Sequence, residues 1–232
     1  MSAKRLFLLI LVAIGGIDGC VETPMTEKPD NQSNAVADYF DRCADEGIFD
    51  EFSPEELPAA KQLLEQINIQ PGDKILEPGC GAGRLTEMLA ELVGPQGKVF
   101  AFDISPRMVE RCQKRGLPSQ VQIARACATD IPVPNGEFDA IVCHNTFPHF
   151  EDKPAVLREF HRVLRADGVL WIVHSRSREW VNSLHSSIGG VLATHLLPTR
   201  EEFERLLRET GFSLEFLHDR PDRFLLKATP VS

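Results

Sequence analysis

Two carboxylates and three glycines in this chain have the types and spacing of a nucleotide-binding turn. An apolar segment ends at Glu77, and an amphipathic segment begins after three alternating glycines, namely Gly79, Gly81 and Gly83. Because glycine lacks a Cβ atom, its backbone can lie directly against a ligand. A strand, a glycine-rich turn and a helix in this order predict a nucleotide pocket at the carboxyl edge of an α/β sheet.

A second acidic residue indicates a pocket for a nucleoside. Residues 99–102 form another apolar run, and Asp103 follows it directly. A carboxylate roughly 20 residues beyond such glycines is placed to accept hydrogen bonds from ribose hydroxyl groups. We therefore expect Glu77 and Asp103 to stand at the ends of two strands beside the glycine turn.

The glycine spacing favours one kind of nucleotide over another. Dinucleotide sites have the spacing G-x-G-x-x-G, which holds a pyrophosphate at a helix N-terminus. This chain has G-x-G-x-G, and Arg84 stands where the last dinucleotide glycine would be. The Glu77 carboxylate would repel a pyrophosphate, but it suits a ligand that carries an ammonium and a sulfonium group.

With Glu77, the glycines and Asp103 in this order, the chain resembles the class I S-adenosylmethionine-dependent methyltransferases, especially the small-molecule branch with methyltransferase domains of the 11/25 type. The resemblance extends from Ala35 to the C-terminus. It implies S-adenosyl-L-methionine as the methyl donor, with its methionine moiety near Glu77, its ribose on Asp103 and its adenine against Ile104. The implied contacts at the turn are Gly79, Cys80, Gly81 and Gly83.

Two further loops complete the cofactor site by the same resemblance. In the first loop, relatives usually have an aspartate that accepts the adenine amino group, but this chain has Cys127. The backbone of Cys127 and Ala128 could still reach the adenine, with Asp130 as a substitute acceptor; alternatively, Asp130 only caps a turn. In the second loop, the resemblance implies that Asn145 faces the methionyl part.

His149 and His144 are the candidate catalytic residues, in that order of preference. A methyl sulfonium is already an activated electrophile, so methyl transfer needs alignment and exclusion of water more than strong acid–base groups. Oxygen and nitrogen acceptors still gain from a base, and histidine titrates near neutral pH. The alternative is a structural histidine that only bonds a neighbouring carbonyl group.

The segment after residue 173 is where the family places substrate-specificity insertions. His174, His185 and His195 could form a metal site with His149, but no H-x-x-x-H pattern and no neighbouring acid supports it, so no metal is predicted. Apolar residues recur here at helical spacing: Trp180, Val181, Leu184 and Ile188. Arg176 and Arg178 either hold an acidic acceptor or face solvent.

The order of the apolar runs predicts an α/β fold with a doubly wound, seven-stranded, mostly parallel sheet whose last strand is antiparallel. Strands are expected at 74–77, 99–103, 121–124, 138–143, 169–173, 213–217 and 224–228, and the last two are too close for a crossover helix. Helices are expected at 38–44, after the caps Ser53 and Ser105, at 151–164, and from the capping box at Thr199 to Gly211.

Composition limits the class of protein and its partners. A chain of 232 residues with 43% hydrophobic residues can bury one sizeable core. The net charge of −9 argues against a nucleic-acid partner, because phosphate backbones are bound by dense lysine and arginine surfaces. The six cysteines have neither C-x-x-C nor zinc-ligand spacing, which favours a reduced, cytoplasmic setting.

The N-terminus conflicts with that setting. Residues 1–24 form an apolar extension with a short run at 6–14, which is typical of a signal-peptide core and too short to span a bilayer. Either translation starts at Met25, or residues 1–20 anchor the protein to a membrane through Cys20; membrane attachment is expected only in the second case. Residues 25–52 are then a lid or linker, helix-poor as far as Asn34, and residues 53–232 are the methyltransferase domain.

We therefore predict an enzyme that transfers a methyl group from S-adenosylmethionine to a small-molecule acceptor by in-line displacement. One alternative is a non-catalytic module that binds S-adenosylmethionine without turnover. The other is a nicotinamide-dependent oxidoreductase, which would bind NAD.

Overall fold

The computed structural model describes residues 31–231, which form a seven-stranded sheet of order β3-β2-β1-β4-β5-β7-β6. The strands are β1 (Lys74–Pro78), β2 (Lys98–Asp103), β3 (Val121–Arg125), β4 (Phe138–His144), β5 (Leu164–His174), β6 (Phe212–Arg220) and β7 (Arg223–Pro230). Strands β1 to β5 pair in parallel, whereas β7 is antiparallel to both β5 and β6. The predicted fold class is confirmed, including the antiparallel last strand.

Helices cover both faces of the sheet. They are α1 (Asn31–Asp45), α2 (Glu56–Ile67), α3 (Arg84–Val93), α4 (Pro106–Lys114), α5 (Lys153–Val163), α6 (Arg178–Ile188) and α7 (Arg200–Glu209), with 3₁₀ helices at Phe147–His149 and Gly190–Leu192. Successive residues of a strand point to opposite faces, so each strand contributes to two cores. Leu76 packs with Phe160 of α5, whereas Ile75 packs with Leu64 of α2 and Leu89 of α3.

The strand order reverses between β1 and β4, and this reversal positions the site. Strands β2 and β3 lie on one side of β1, and β4 and β5 lie on the other. Loops that leave the carboxyl ends of such strands diverge and open a crevice in which ligands bind. The glycine turn after β1 and the loop after β4 therefore face each other across this crevice.

Helix α1 packs across the start of α4. Ala44 and Met108 meet in a small buried cluster, and the Asp41 carboxylate accepts hydrogen bonds from the Ser105 hydroxyl and the Arg107 backbone N–H. The predicted helix at 38–44 forms, but it begins at Asn31, within the stretch that was expected to be helix-poor as far as Asn34. Residues 31–37 contain neither glycine nor proline, so their sequence is compatible with a helix.

Strand β5 begins earlier than predicted. The sequence places the end of a helix at Leu164 and a strand only from 169, but β5 starts at Leu164 and α5 ends at Val163. Leu164 has an extended backbone and pairs with Phe138, and a register shift follows before Val169 pairs with Ala140. Burial of Leu164 in the core overrides the helical pattern, and the Asp167–Gly168 pair lies within the bulged strand.

The reciprocal bonds of a capping box form at both Thr199 and Ser53, but the two caps differ in where the regular helix begins. At Thr199 both bonds form, because the Thr199 hydroxyl accepts from the Glu202 backbone and the Glu202 carboxylate accepts from the Thr199 backbone. At Ser53 the same reciprocal bonds form with Glu56, but regular helix begins only at Glu56.

The apolar extension at 1–24 and Cys20 lie outside the described residues, so the localisation stays a prediction. Within residues 31–231, no helix is both long enough and apolar enough to cross a membrane.

We expect Thr199→Ala to lower the free energy of unfolding by about 1 kcal/mol, because the first turn of α7 loses its side-chain acceptor. In a chain of this size the melting temperature should fall by about 2–4 °C, measured by circular dichroism. Ser186→Ala, at an exposed position inside α6, is the control and should change stability by less than about 0.5 kcal/mol. Equal melting temperatures for wild type and Thr199→Ala would contradict the expectation.

Candidate active site

A cavity of about 2520 Å³ lies at the carboxyl edge of the sheet and is bordered by α1, α2 and α6. Most of the predicted site residues line it: Glu77, Gly79, Cys80, Gly81, Asp103, Ile104, Cys127, Ala128, His144, Asn145 and His149. Two do not, namely Gly83 and Asp130. The structure therefore brings most of the predicted site residues together at one cavity, and these two lie outside its lining.

The three glycines of the turn serve different purposes. A Cβ atom on Gly79 would lie 2.2 Å from Cγ2 of Thr146, and one on Gly83 would lie 2.5 Å from Sγ of Cys112. Both positions therefore need glycine for packing, and Gly83 acts as the N-cap of α3 rather than as a wall of the cavity. Gly81 has open space where a Cβ would stand, so it is the glycine that leaves room for a ligand.

The turn is bonded to the end of β2. The backbone N–H groups of Gly79 and Cys80 both donate to the carbonyl oxygen of Phe102, at 2.8 and 3.0 Å. Asp103 accepts from the Gly81 N–H with one carboxylate oxygen and from the Ser105 N–H with the other, both at 2.9 Å. Each carboxylate oxygen has two lone pairs, so Asp103 keeps acceptor capacity toward the cavity. Burial raises its pKa, while these backbone donors lower it.

Glu77 is the most isolated acid of the site. It is 2% exposed at the end of β1, and its Oε2 atom has no hydrogen-bond partner within residues 31–231. Burial raises the pKa of this carboxyl group to about 8. A buried acceptor without a partner, at the edge of a cavity, is suited to a cationic ligand group.

The loop after β3 departs from the expectation at Asp130. This residue is exposed, and its backbone N–H donates to the carbonyl oxygen of Cys127 at 3.1 Å. Asp130 therefore belongs to a tight turn whose other end, at Cys127 and Ala128, reaches the cavity. The side chain of Asp130 does not line the cavity, which favours the alternative that Asp130 only belongs to a turn.

The loop after β4 is joined to the glycine turn by a residue that the sequence analysis did not select. The Thr146 hydroxyl is within hydrogen-bonding distance of the carbonyl oxygens of Gly79, at 3.2 Å, and His144, at 3.0 Å. Asn145 takes a left-handed backbone with φ of +54°, and its side chain accepts from the Ser175 N–H. The available signal for Thr146 was its position directly after Asn145, in a loop that the sequence had already indicated.

Arg84 is a second residue missed from the sequence. Its guanidinium carbon lies 4.3 Å from the ring centroid of Phe52, and its Nη1 atom donates to the backbone of Glu51 and the carboxylate of Glu56. These contacts fasten the segment before α2 to the start of α3, beside the cavity. The signal was its place after the glycines, where a dinucleotide site would have glycine.

Five of the seven histidines gather at the same sheet edge: His144, His149, His174, His185 and His195. The Nδ1 atoms of His149 and His195 are 3.2 Å apart, and the ring of His185 lies 5.0 Å from that of His149. His144 stands apart from these three, with its Nε2 atom 3.4 Å from the Ser175 hydroxyl. The predicted catalytic pair therefore occupies two different corners of the cavity.

The pKa of each of these histidines is lowered, which favours the neutral imidazole near neutral pH. Burial is the main cause in each: it lowers the pKa of His144 to about 3, with a contribution from Arg84, and that of His195 to about 4. Burial also lowers the pKa of His149 well below its usual range, and the neighbouring His185 and His195 lower it further. The imidazoles can therefore accept hydrogen bonds or protons.

The structure does not form a metal site from the histidines. Among residues 31–231, no group of three or more histidine, cysteine, aspartate or glutamate side chains has the geometry to hold a metal ion.

The two arginines after β5, Arg176 and Arg178, differ in their positions relative to the cavity. Arg176 lies over the ring of Trp180 beside the cavity. The backbone N–H of Arg178 donates a hydrogen bond to the Asp219 carboxylate, and the Arg178 side chain does not line the cavity.

Comparison with known proteins decides the family. A family model described as a methyltransferase domain matches residues 76–172. Nocamycin O-methyltransferase from Saccharothrix syringae is 30% identical over 75% of this chain and 70% of its own length. The chain belongs to the class I S-adenosylmethionine-dependent methyltransferases.

Other relatives of this methyltransferase are longer or more distant. Phosphoethanolamine N-methyltransferase 1 from Arabidopsis thaliana is 30% identical over 73% of this chain, which spans only 34% of that protein. A methyltransferase structure from Aquifex aeolicus shares the fold, with a TM-score of 0.62 and 23% identity over 84% of this chain and 98% of its own. Family membership sets aside the nicotinamide oxidoreductase considered from the sequence.

The residues of the methyltransferase fit S-adenosylmethionine. The unpartnered Glu77 oxygen suits its ammonium group, the open space at Gly81 leaves room for its methionine moiety, and the free lone pairs of Asp103 suit its ribose hydroxyls. Ile104, Cys127 and Ala128 line the cavity beyond Asp103, on the side where the adenine would lie.

We expect Gly81→Ala to weaken S-adenosylmethionine binding at least about tenfold, or about 1.4 kcal/mol, because the new Cβ takes ligand space. Gly116→Ala is the matched control, since both glycines have a left-handed backbone and open space at Cβ but only Gly81 lines the cavity. Both variants should lose about 1–2 kcal/mol of stability from backbone strain. Calorimetric titration measures the difference, and equal affinities for the two variants would contradict it.

The affinity for S-adenosylmethionine should rise with pH between about pH 6 and 7.5. In the free protein the Glu77 pKa is raised to about 8, so its carboxyl group is mostly protonated in this range and must lose its proton to pair with the ammonium. The dissociation constant should fall by up to about tenfold per pH unit. Above about pH 7.7 the α-amino group of the ligand begins to lose its own proton.

Glu77→Gln is the control for this pH dependence and should bind equally at both ends of the range. Calorimetry in two buffers of different ionisation enthalpy should detect proton release by the wild type only. The stability of the free protein changes with pH in the opposite direction to the affinity. The contribution of Glu77 to the free energy of unfolding is present at acidic pH and is lost as the pH rises through about 8. A pH-independent affinity in the wild type would contradict the pairing.

Proposed function

We propose that this methyltransferase transfers a methyl group to an uncharged small-molecule acceptor by in-line displacement, with His149 as the base. The observation that carries the proposal is the composition of the cavity beyond the cofactor residues, where histidines alternate with apolar side chains. Such a wall admits an apolar body and presents few polar groups to orient it.

The apolar part of the wall comes from two helices that lie outside the cofactor motif. Phe40 of α1 meets His149 edge to face, with 5.1 Å between ring centroids. The other members come from α6 and the 3₁₀ helix that follows it: Trp180, Val181, Leu184, Ile188 and Leu192. The four residues that were predicted from their helical spacing, together with Leu192, thus line one side of the proposed acceptor space.

The charges around the cavity argue against an acidic acceptor. Among its lining residues, ten side chains are acidic and four are basic. Of the basic ones, Arg84 is bonded to Glu56, and Arg176 lies over Trp180. This balance supports an acceptor of the uncharged kind more than one that carries a phosphate, and it supports the predicted absence of a nucleic-acid partner.

Bound S-adenosylmethionine supplies an electrophilic methyl group, and the electron pair of its C–S bond leaves with sulfur. The protein then has to hold the acceptor atom in line with that bond, exclude water and take up a proton. The apolar wall serves the first two needs. His149 serves the third, because it is a neutral imidazole that faces the acceptor space.

Turnover is the test of this proposal. Purified full-length protein is incubated with S-adenosylmethionine and metabolite extracts from its own organism, and release of S-adenosylhomocysteine is followed with identification of the methylated product. We expect one S-adenosylhomocysteine for each product molecule. Tight S-adenosylmethionine binding without transfer to any acceptor would instead favour the non-catalytic binding module.

His149→Ala should lower kcat by about 10²–10⁴-fold on the acceptor found in that screen, because the base is lost. The affinity for S-adenosylmethionine should stay the same, since the substitution leaves Asn145 of the same loop and the residues of the glycine turn in place. His218→Ala is the control: His218 is exposed on β6, away from the cavity, and its loss should leave kcat unchanged. An unchanged kcat in His149→Ala would exclude this residue as the base.

A further inference from the structure

His195 contacts the candidate base from behind. Its Nδ1 atom lies 3.2 Å from Nδ1 of His149, but His195 itself is 7% exposed and does not line the cavity. A side chain in this place acts on an acceptor only through His149. Among the described residues, His149 therefore has one ring nitrogen against His195 and the other free to serve the cavity.

The loop that carries His195 is held firmly to α6. The Asn182 side chain bonds both backbone groups of Leu197, donating to its carbonyl oxygen at 3.1 Å and accepting from its N–H at 2.8 Å. Nδ1 of His185 is in contact with the carbonyl oxygen of His195, which fixes His185 as the tautomer with a proton on Nδ1. These bonds on both sides of Leu196 place the His195 ring with little freedom.

A hydrogen bond between two neutral imidazoles fixes complementary tautomers. A neutral ring carries one proton, so of two Nδ1 atoms in contact one must donate and the other must accept. If Nδ1 of His149 donates, its Nε2 atom is a bare lone pair directed away from His195. If His195 donates instead, His149 presents an N–H to the cavity and cannot act as a base.

We infer that His195 is a positioning residue, which accepts the Nδ1–H of His149 and so keeps Nε2 of His149 free to take a proton from an acceptor hydroxyl group. The inference rests on the proposed function and narrows its substrate class to uncharged molecules whose methylated oxygen gives up a proton. Acceptors without such a proton, such as tertiary amines, make no use of this arrangement.

The charge balance of the reaction supports this assignment. As the acceptor oxygen gains the methyl group, its O–H electron pair stays on oxygen and the proton bonds to Nε2 of His149. The sulfonium charge disappears in the same step, so the site holds one positive charge before and after transfer. Burial and the neighbouring His174, His185, His195 and Lys153 oppose an imidazolium in the free protein. The hydrogen bond to His195 stabilises the imidazolium once it forms.

Lys153 does not replace His195 as a partner. Its ammonium group donates to the carbonyl oxygens of Pro148 and Phe150, at 3.2 and 2.7 Å, on the side of the 3₁₀ helix. Phe40 of α1 covers another edge of the His149 ring and offers only apolar surface. His195 is therefore the described group that can accept from Nδ1 of His149.

The test is the tautomer of His149, read without any acceptor. Full-length protein labelled with ¹⁵N-histidine is examined by long-range ¹H–¹⁵N correlation near neutral pH, and the His149 signals are assigned by their loss in His149→Phe. We expect Nδ1 of His149 to carry the proton in the wild type. In His195→Phe, which keeps a ring but removes the acceptor, the proton should move to Nε2.

His195→Asn provides the rescue, because its side-chain oxygen can still accept from Nδ1 and should retain the wild-type tautomer. A structural role alone would not reproduce this pattern. A His149 proton on Nε2 in the wild type would overturn the inference, whether or not His195→Phe folds. His195→Asn with its proton on Nε2 would also count against it.

Calorimetry with S-adenosylmethionine on the same labelled protein separates this inference from the proposed function. Binding together with an Nε2–H tautomer contradicts the role of His195 alone. Absence of binding contradicts the proposed function, and the inference falls with it.

Discussion

The position of the glycine turn against the end of β2 is the constraint on which the rest of the site depends. Two backbone N–H groups of the turn share the carbonyl oxygen of Phe102, and a third is bonded to the Asp103 carboxylate. The same turn accepts a hydrogen bond from Thr146 on the far side of the crevice. Hydrogen bonds to one short stretch of backbone thus position both halves of the site. A displacement of this backbone would move the cofactor residues and the acceptor residues together.

The two ends of the cavity differ in charge because they are buried in different ways. At the cofactor end, Glu77 and Asp103 stand at strand ends. Asp103 accepts from two backbone donors, whereas Glu77 keeps an unpartnered oxygen that suits a cationic ligand group. At the acceptor end, burial lowers the pKa of the imidazoles, and the neighbouring histidines and Lys153 lower it further. A cationic cofactor is therefore attracted to one end, while the other end repels additional positive charge.

The sequence was sufficient for the parts of the site that are local along the chain. The strand, turn and helix around Gly81 and the apolar run before Asp103 depend on neighbouring residues, and their patterns predicted the fold and most of the cofactor wall. Contacts between distant segments were harder to predict. Thr146 and Gly79, which are 67 residues apart, were not paired, and His149 and His195, which are 46 apart, were grouped only as possible metal ligands.

The differences between the expectations and the structure have the same origin. Gly83 was assigned to the cofactor, but Cys112 of α4 packs where its Cβ would be, and the sequence does not show that α4 comes so close. Asp130 was offered as an adenine acceptor, but its turn points the side chain to solvent. The early start of β5 follows from burial of Leu164 against a helix and strand that no local pattern reveals.

Apart from Phe40 of α1, the apolar wall of the proposed acceptor space comes from one contiguous stretch of the chain. Residues 178–197 contribute α6, the following 3₁₀ helix and His195, and their main internal fastenings are the Asn182 and His185 bonds within the piece itself. The motif that binds the methyl donor belongs to the first half of the sheet and makes none of these bonds. A fold arranged in this way can acquire a new acceptor preference by exchange of one contiguous stretch, while the backbone of the glycine turn is left unchanged.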